Sequence, residues 1–305
     1  MKIIFMGTPE FASVILEELN KKYEISLVVS QPDKEVGRKR ILTNPPVISK
    51  AKELGLKYFQ PKKIKEEYDV IINENADMIV TAAYGQIVPD VVLNSVKKAI
   101  NVHASLLPKY RGGAPIQRAI INGDKKTGVS IIEMVSKLDA GVIYATKDID
   151  ILPSDNNTTM FEKLALLGRN LLIDSIEDIY SGKNKGIPQD ESKVVFSPNI
   201  KREEEKLDFN DTSINLFNKI RGLALEPGAY ASINGENIKI YSSEIVEYNG
   251  GEQAGTILSL KKEILVKTSD KALRLLLIKP SGKKTMQSKD FVNGQKLLNI
   301  GDIFD

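Results

Sequence analysis

The stretch Lys2-Ile-Ile-Phe-Met-Gly-Thr-Pro-Glu-Phe11 joins a short apolar run to a turn and then to a helical pattern. An apolar run of only a few residues that stops at a turn predicts a first β-strand and not a signal peptide. Similar short runs alternate with helical patterns through the first 180 residues. Because such alternation is typical of βαβ units, the sequence predicts a Rossmann-like α/β domain with a mostly parallel sheet.

The predicted strands of this half cover residues 2–6, 25–30, 78–83, 99–102 and 129–135. The predicted helices cover residues 11–20, 46–54, 64–75, 90–95, 114–122 and 158–180. At the start of the first helix, Thr8 is predicted to be the N-cap, and Pro9 suits the first helical position.

The turn after the first strand also bears on the class of cofactor. Gly7 is followed by Thr8, Pro9 and Glu10, so one glycine stands where the dinucleotide-binding fingerprint has three. The second glycine of that fingerprint lets the backbone approach a pyrophosphate closely, and a Pro-Glu pair removes this access. The turn therefore argues against NAD binding.

The character of the sequence changes after Tyr180. Residues 181–192 are polar and rich in helix breakers, as interdomain linkers are. Beyond Leu207, one predicted helix at 213–221 is followed by short alternating strands, which favours a small antiparallel β-barrel. We predict an α/β domain over residues 1–182, a linker over 183–206 and a C-terminal OB-like β-barrel over 207–305. The predicted barrel strands are 230–233, 238–241, 255–260, 264–268 and 272–279.

Composition and charge exclude several classes of protein. The chain has no cysteine, which excludes disulfides and thiolate metal sites, and no apolar run approaches the roughly 20 residues that span a bilayer. We therefore expect a cytoplasmic protein that does not enter membranes.

The 43 basic and 40 acidic residues are too balanced to indicate a nucleic-acid binder. From Gly255 onward, however, the chain contains ten Lys and Arg but only five Asp and Glu. This basic surplus suits either a solvated surface or an RNA contact.

The most informative segment is Asn101-Val-His-Ala-Ser-Leu-Leu-Pro108. Asn101 and His103 are two residues apart at a predicted strand end, so their side chains project to the same face. Open α/β sheets bind their ligands at the carboxyl ends of the strands. His103 is the only histidine in the chain, and a single histidine is by itself more often structural than functional.

The motif Asn-x-His-x-Ser-Leu-Leu-Pro resembles the signature of the folate-dependent formyltransferases. Leu138-Asp-Ala-Gly141 is similar to the second catalytic loop of that family, and Ala83-Tyr-Gly-Gln-Ile-Val-Pro89 resembles its pterin-pocket segment. The resemblance covers essentially the whole chain. Further segments resemble the members that formylate the methionine esterified to initiator tRNA: residues 7–11, 31–33 with 37–38, 113–118, 221–222, 227–230, 282–286 and 301–302.

The resemblance implies attack of an amine on the formyl group of 10-formyltetrahydrofolate, through a tetrahedral intermediate that bears an oxyanion. Asn101 would donate a hydrogen bond to that oxyanion without a change of charge. A protonated His103 would be a second donor, and its ordinary pKa of about 6.5 suits proton transfer near neutrality. Asp139 would orient His103 and receive the proton of the amine.

The resemblance also implies the residues that hold the folate. One wall of the slot would consist of Ser105, Leu106, Leu107 and Pro108, and the opposite wall of Tyr84, Gly85, Gln86, Ile87 and Val88. Apolar side chains with free backbone groups are usual in small-molecule sites. No metal is implied, because one histidine and no cysteine leave few nitrogen or sulfur ligands.

Contacts with the acceptor stem of the tRNA are implied for two basic segments. The long connection over residues 31–46 would supply Arg38, Lys39 and Arg40, and the linker would supply Lys201 and Arg202. Contacts of this kind to phosphates position the RNA but carry little sequence information. A flexible basic loop without a partner is the alternative. The chain is expected to act as a monomer.

Other functions stay open at this point. A formyltransferase that acts on a nucleotide-linked amino sugar would keep the chemistry and change the amine. The basic loop and residues 227–230 favour the tRNA substrate over this alternative. Formyltransferases of the purine pathway, and hydrolases that pass the formyl group to water, would leave the last third of the chain unexplained. An RNA-binding protein with an inactive site is a different class, and the joint presence of Asn101, His103 and Asp139 argues against it.

Overall fold

A computed structural model describes residues 1–37, 39–294 and 297–305 of the chain. Arg38, one of the predicted tRNA contacts, lies outside the described residues. The elements up to residue 111 are β1 Lys2–Gly7, α1 Glu10–Lys22, β2 Glu24–Val29, β3 Lys34–Val36, β4 Ile41–Thr43, α2 Pro46–Glu53, β5 Tyr58–Phe59, α3 Asp69–Ile72, β6 Met78–Ala82, α4 Asp90–Leu93, β7 Lys98–His103 and β8 Lys109–Arg111.

The next elements are α5 Pro115–Ile121, β9 Lys126–Glu133, β10 Ile143–Asp150, α6 Asn157–Ser181, β11 Val195–Phe196, α7 Ser213–Leu223, β12 Ala229–Ile233, β13 Glu236–Val246, β14 Ile257–Ser259, β15 Ile264–Lys267, β16 Ala272–Pro280, β17 Met286–Gln287 and α8 Ser288–Phe291. Short 3₁₀ turns lie at Glu191–Lys193 and Arg202–Glu205. No helix within the described ranges has the length and apolarity to cross a membrane.

The chain forms two compact units, each built from several stretches of sequence. The first contains Met1–Pro115, Thr127–Ile149 and Phe161–Pro198, and the second contains Ile116–Lys126, Asp150–Met160 and Asn199–Asp305. The domain boundaries drawn from composition, at residues 182 and 207, stay a prediction.

The first unit is organised around a seven-stranded sheet with the order β10-β9-β7-β6-β1-β2-β5. The five strands β5, β2, β1, β6 and β7 pair in parallel with one another, whereas β9 is antiparallel to β7. The predicted mostly parallel sheet is therefore confirmed. β1 and β6 are buried along nearly their whole length because they lie in the middle of the sheet. Strands that are covered on both faces require such continuous apolar runs.

Two local predictions in this unit are wrong. The helix predicted over residues 64–75 shrinks to Asp69–Ile72, and the backbone N–H of Ile64 bonds to the Gln86 side chain at 2.9 Å. The hydroxyl of Thr8 does not cap α1, since it donates to the carbonyl of Tyr84 at 2.8 Å. In both places a tertiary hydrogen bond replaces a local helical one. Both bonds reach the segment that follows β6.

The second unit contains an antiparallel sheet with the order β12-β13-β16-β15-β14. The long strand β13 shifts register against β16 between Ile240 and Ser243, and such bulges bend a strand. The sheet curls into a half-barrel, which confirms the predicted small β-structure. Its concave core is apolar and includes the buried side chains of α7, whose start is capped by the Thr212 side chain accepting from the N–H of Asn215.

Candidate active site

The three predicted catalytic side chains lie together at one end of the sheet of the first unit. β7 carries Asn101 and His103 at its carboxyl end, and Asp139 belongs to the loop between β9 and β10. The amide nitrogen of Asn101 lies 3.5 Å from one carboxylate oxygen of Asp139, and Nδ1 of His103 lies 3.7 Å from the other. The fold therefore places an amide, an imidazole and a carboxylate within one small region.

A buried threonine orients the amide of Asn101. Thr81 on β6 pairs with Asn101 in the sheet register and donates its hydroxyl proton to Oδ1 of Asn101 at 2.8 Å. Because the amide oxygen is used in this way, the NH₂ group is the end that points towards Asp139. Thr81 is 2% exposed. Thr81 was not among the predicted site residues, although a hydroxyl within an otherwise apolar strand is a signal for such a role.

The surroundings of His103 determine which ring nitrogen can take part in chemistry. Nε2 lies 2.9 Å from the carbonyl of Tyr110, and since a carbonyl only accepts, Nε2 carries a proton. Nδ1, which faces Asp139, is therefore the nitrogen that gains or loses a proton. The separation of 3.7 Å is too long for a hydrogen bond, so the contact is an ion pair when the ring is charged.

The loop of Asp139 has an unusual backbone. Asp139 has a φ of +47°, and its carboxylate accepts a hydrogen bond from the N–H of Gly112 at 2.9 Å. At Gly141 a Cβ atom would lie 2.0 Å from the carbonyl oxygen of Glu133, so only glycine fits beside β9. Positive φ angles also occur at Ala83 and Tyr110, which flank the site. Backbone strain of this kind gathers at functional sites.

The predicted folate wall Ser105–Pro108 is held through its backbone. The hydroxyl of Ser130, on β9, accepts from the N–H of Leu107 at 3.1 Å and donates to the carbonyl of Ser105 at 2.7 Å. The hydroxyl of Ser105 in turn donates to the carbonyl of Lys109 at 2.7 Å. Leu107 is buried, whereas Leu106 and Pro108 are partly exposed. Ser130 was not anticipated from the sequence.

The five residues of the opposite predicted wall differ in their environment. Tyr84 and Val88 are buried in the apolar core, and burial raises the pKa of the Tyr84 hydroxyl. The side chain of Gln86 is turned towards Ile64 and Pro61. Ile87, by contrast, is 81% exposed. Ile87 and the backbone beside Gly85 are therefore the parts of this segment that are open to a ligand.

The described residues among the predicted RNA contacts lie on two segments of the chain. Lys39 and Arg40 lie on the exposed end of a β-hairpin formed by β3 and β4, where Arg40 pairs with Glu35 at 2.5 Å. The described part of the connection predicted as a long loop thus contains two short paired strands. Lys201 is exposed, whereas the guanidinium of Arg202 lies 4.1 Å from the ring centre of Tyr230 and also pairs with Glu205.

In the part of the chain that the structure describes, no group of three or more His, Cys, Asp or Glu side chains is placed to hold a metal ion.

Comparison with known proteins gives matches along nearly the whole chain. Residues 1–176 match the formyl transferase family, and residues 199–296 match the formyl transferase C-terminal domain. The methionyl-tRNA formyltransferase of Streptococcus thermophilus is 48% identical over 309 residues, with 99% of each chain covered. The enzyme of the same name from Lactobacillus acidophilus is 49% identical over 298 residues, covering 96% of this chain and 95% of the relative.

Solved structures share the fold at low sequence identity. HypX from Aquifex aeolicus aligns with a TM-score of 0.69 at 15% identity over 96% of this chain, which spans 49% of HypX. An N-formyltransferase from Helicobacter canadensis, solved with folinic acid and dTDP-3-aminofucose, aligns with a TM-score of 0.68 at 19% identity over 90% of this chain and 98% of its own. From the family matches and the full-length relatives, the chain belongs to the formyl transferase family, in its methionyl-tRNA formyltransferase branch.

Proposed function

We propose that the chain transfers the formyl group of 10-formyltetrahydrofolate to the amino group of methionyl initiator tRNA and so supplies N-formylmethionyl-tRNA for translation initiation. The observation that carries the proposal is the meeting of Asn101, His103 and Asp139 at the end of β7. Near-complete coverage by methionyl-tRNA formyltransferases supports this choice of amine. The proposal takes the chain to be a monomer in the cytoplasm, where charged initiator tRNA is found.

In the proposed mechanism, the chain stabilises the charge that develops when the amine adds to the formyl carbon. The amide of Asn101, whose orientation Thr81 sets, donates to the oxyanion. His103 donates a second hydrogen bond from protonated Nδ1, since its Nε2 proton is bound by the Tyr110 carbonyl. Donors that are fixed before the reaction stabilise an oxyanion without reorganising during it.

The same side chains move the protons. The amine must lose a proton after its attack, and the folate nitrogen must gain one as it leaves. Asp139 is the carboxylate beside His103, so it receives the amine proton and keeps the imidazolium stable. His103 gives its Nδ1 proton to the leaving nitrogen, and the proton held by Asp139 then passes to Nδ1 and restores the starting state. Ser105–Pro108 and the exposed Ile87 hold the donor beside these groups.

Asn101→Ala is expected to lower kcat by about 100- to 1,000-fold, because loss of one oxyanion donor typically has an effect of this size. KM for both substrates should change little, because the lost hydrogen bond forms in the transition state. Steady-state formylation of charged initiator tRNA measures both constants. Asn170→Ala, at an exposed position of α6, is the matched control. A variant at position 101 within a few-fold of wild type would remove Asn101 from the mechanism.

The choice of amine is tested with one formyl donor and several acceptors. Purified chain is incubated with 10-formyltetrahydrofolate and methionyl initiator tRNA, methionyl elongator tRNA or a nucleotide-linked amino sugar. We expect formylation of the initiator tRNA in large excess over the others. Faster formylation of the sugar would replace the proposed substrate with the alternative amine, and turnover of the folate with water alone would indicate a hydrolase.

Arg38→Ala is expected to weaken use of the tRNA and to spare use of the folate. The family resemblance implies a contact of Arg38 with the acceptor stem. Loss of a charge-assisted hydrogen bond of about 1.5–3 kcal/mol lowers kcat/KM for the tRNA by about tenfold or more. KM for the formyl donor should stay within about twofold, since phosphate contacts affect the RNA alone. Arg169→Ala on α6 is the control. An equal loss for both substrates would contradict the assignment.

A further inference from the structure

The part of the predicted linker that precedes Pro198 is hydrogen-bonded to the first unit. Residues 187–197, which we call the strap, begin with a bridge between Ile187 and Ile143, whose backbone groups exchange hydrogen bonds of 2.8 and 2.9 Å. The strap ends with β11, which pairs in parallel with β8. At its end the N–H of Ser197 donates to the carbonyl of Arg111 at 2.7 Å. The strap is therefore a structural part of the first unit.

The side chain of Gln189, in the middle of the strap, supports the loop of Asp139. Its amide nitrogen donates to the carbonyls of Asp139 at 2.7 Å and Gly141 at 2.8 Å. Both N–H groups of the amide are thus used on the two sides of Ala140. A residue with positive φ, such as Asp139, keeps its conformation only when its surroundings hold it.

A buried arginine sets the orientation of this glutamine. Arg111 is 1% exposed, and its Nε and Nη2 donate to Oε1 of Gln189 at 3.1 and 2.8 Å. Because Arg111 has only donors, Oε1 must face it and Nε2 must face the loop. Arg111 also donates to Glu191, and Lys137 bonds to the same carboxylate at 2.7 Å. These two hydrogen bonds lower the pKa of Glu191 to about 2, so it stays charged at any assay pH near neutrality.

The strap also contacts the backbone carbonyl that accepts the hydrogen bond of His103. The hydroxyl of Ser197 donates to the carbonyl of Tyr110 at 3.0 Å, and the same carbonyl binds Nε2 of His103 at 2.9 Å. Ser197 is fully buried. The strap thus contacts the backbone of Asp139 at one point and the hydrogen-bond acceptor of His103 at another, and these two residues make the ion-pair contact of the site.

We propose that the strap sets the distance between His103 and Asp139, and that Gln189 is its positioning residue. Gln189 acts through the two carbonyls of the Asp139 loop and does not itself touch substrate. The inference rests on the proposed function for its kinetic consequence only. A displacement of about 1 Å at a catalytic group can lower the rate about 100-fold, so loss of this support should appear in kcat.

The test compares Gln189→Glu with Gln189→Ala. The glutamate still accepts hydrogen bonds from Arg111 but lacks the two donors to the loop, whereas alanine lacks both functions. If Gln189 positions Asp139, both variants lose kcat by about 10- to 100-fold, and KM for the folate and for the tRNA stays within a few-fold. If Gln189 only pairs the buried Arg111, the glutamate variant keeps the wild-type kcat, and that result would overturn the proposal.

A second measurement is independent of turnover. Hydrogen exchange of the backbone amides of Ala140 and Gly112, which donate to the Lys137 carbonyl and the Asp139 carboxylate, should be faster in Gln189→Glu than in wild type, because the loop opens more often. Lys193→Ala, which breaks an exposed ion pair of the strap with Asp190, is the control and should change neither kcat nor exchange. A wild-type chain that formylates no tRNA would refute the proposed function, and the exchange comparison would still decide the role of Gln189. Unchanged exchange in the glutamate variant would refute the positioning role of Gln189.

Discussion

His103→Ala is expected to lower kcat by about 1,000-fold or more. The substitution removes an oxyanion donor and a proton-transfer group together, and each of these typically contributes about 100-fold or more. The ring is almost fully buried, and its Nε2 is fixed by Tyr110, so Nδ1 is held beside Asp139 at 3.7 Å. An alanine cannot supply either function at that place.

Steady-state formylation of initiator tRNA measures this loss, and a thermal melt checks that the variant folds. Turnover of the alanine variant near the wild-type rate would exclude His103 from the chemistry.

Asp139→Asn should lower kcat by about 100- to 10,000-fold, the range for loss of a general acid or base. Asparagine tolerates a positive φ, and its amide oxygen can still accept from the N–H of Gly112, so the loop should keep its shape. The variant loses the negative charge that faces Nδ1 of His103. It also loses the acceptor for the proton of the amine.

Asp178→Asn is the matched control, because the carboxylate of Asp178 forms an exposed ion pair with Lys183. Its kcat should equal that of wild type. A rate for Asp139→Asn that is close to wild type would show that its carboxylate has no part in proton transfer. A lowered melting temperature, by contrast, would indicate that the charge mainly stabilises the loop.

The central strands of the first unit could be predicted because their residues are buried on both faces. β1 and β6 are continuous apolar runs, and their observed bounds differ by one residue from the predicted ones. The hairpin of β3 and β4 was not predicted, since its residues are exposed and lack the alternation of a half-buried strand. β11 consists of two residues and forms only against β8, so no local pattern marks it.

The residues of the candidate site also fall into those that the sequence indicated and those that only distant contacts revealed. The spacing of Asn101 and His103 on a strand placed both side chains on one face, and the family resemblance gave them their roles. Asp139 came from the family resemblance, since an Asp before a glycine is otherwise typical of a turn. Thr81 and Gln189, which orient the amide and the loop, were missed. Each is an ordinary residue whose role depends on a partner far along the chain.

The sequence by itself determined the class of fold and the strand that carries the site, and its resemblance to a known family indicated the chemical groups for formyl transfer. The first two properties follow from burial and from the period of the chain, which neighbouring residues express within a few positions. Only the tertiary structure decided that Nδ1 of His103 faces Asp139, and that Gln189 supports a loop 50 residues earlier. Hydrogen bonds between distant segments depend on how the whole chain folds, and no local sequence pattern specifies those contacts.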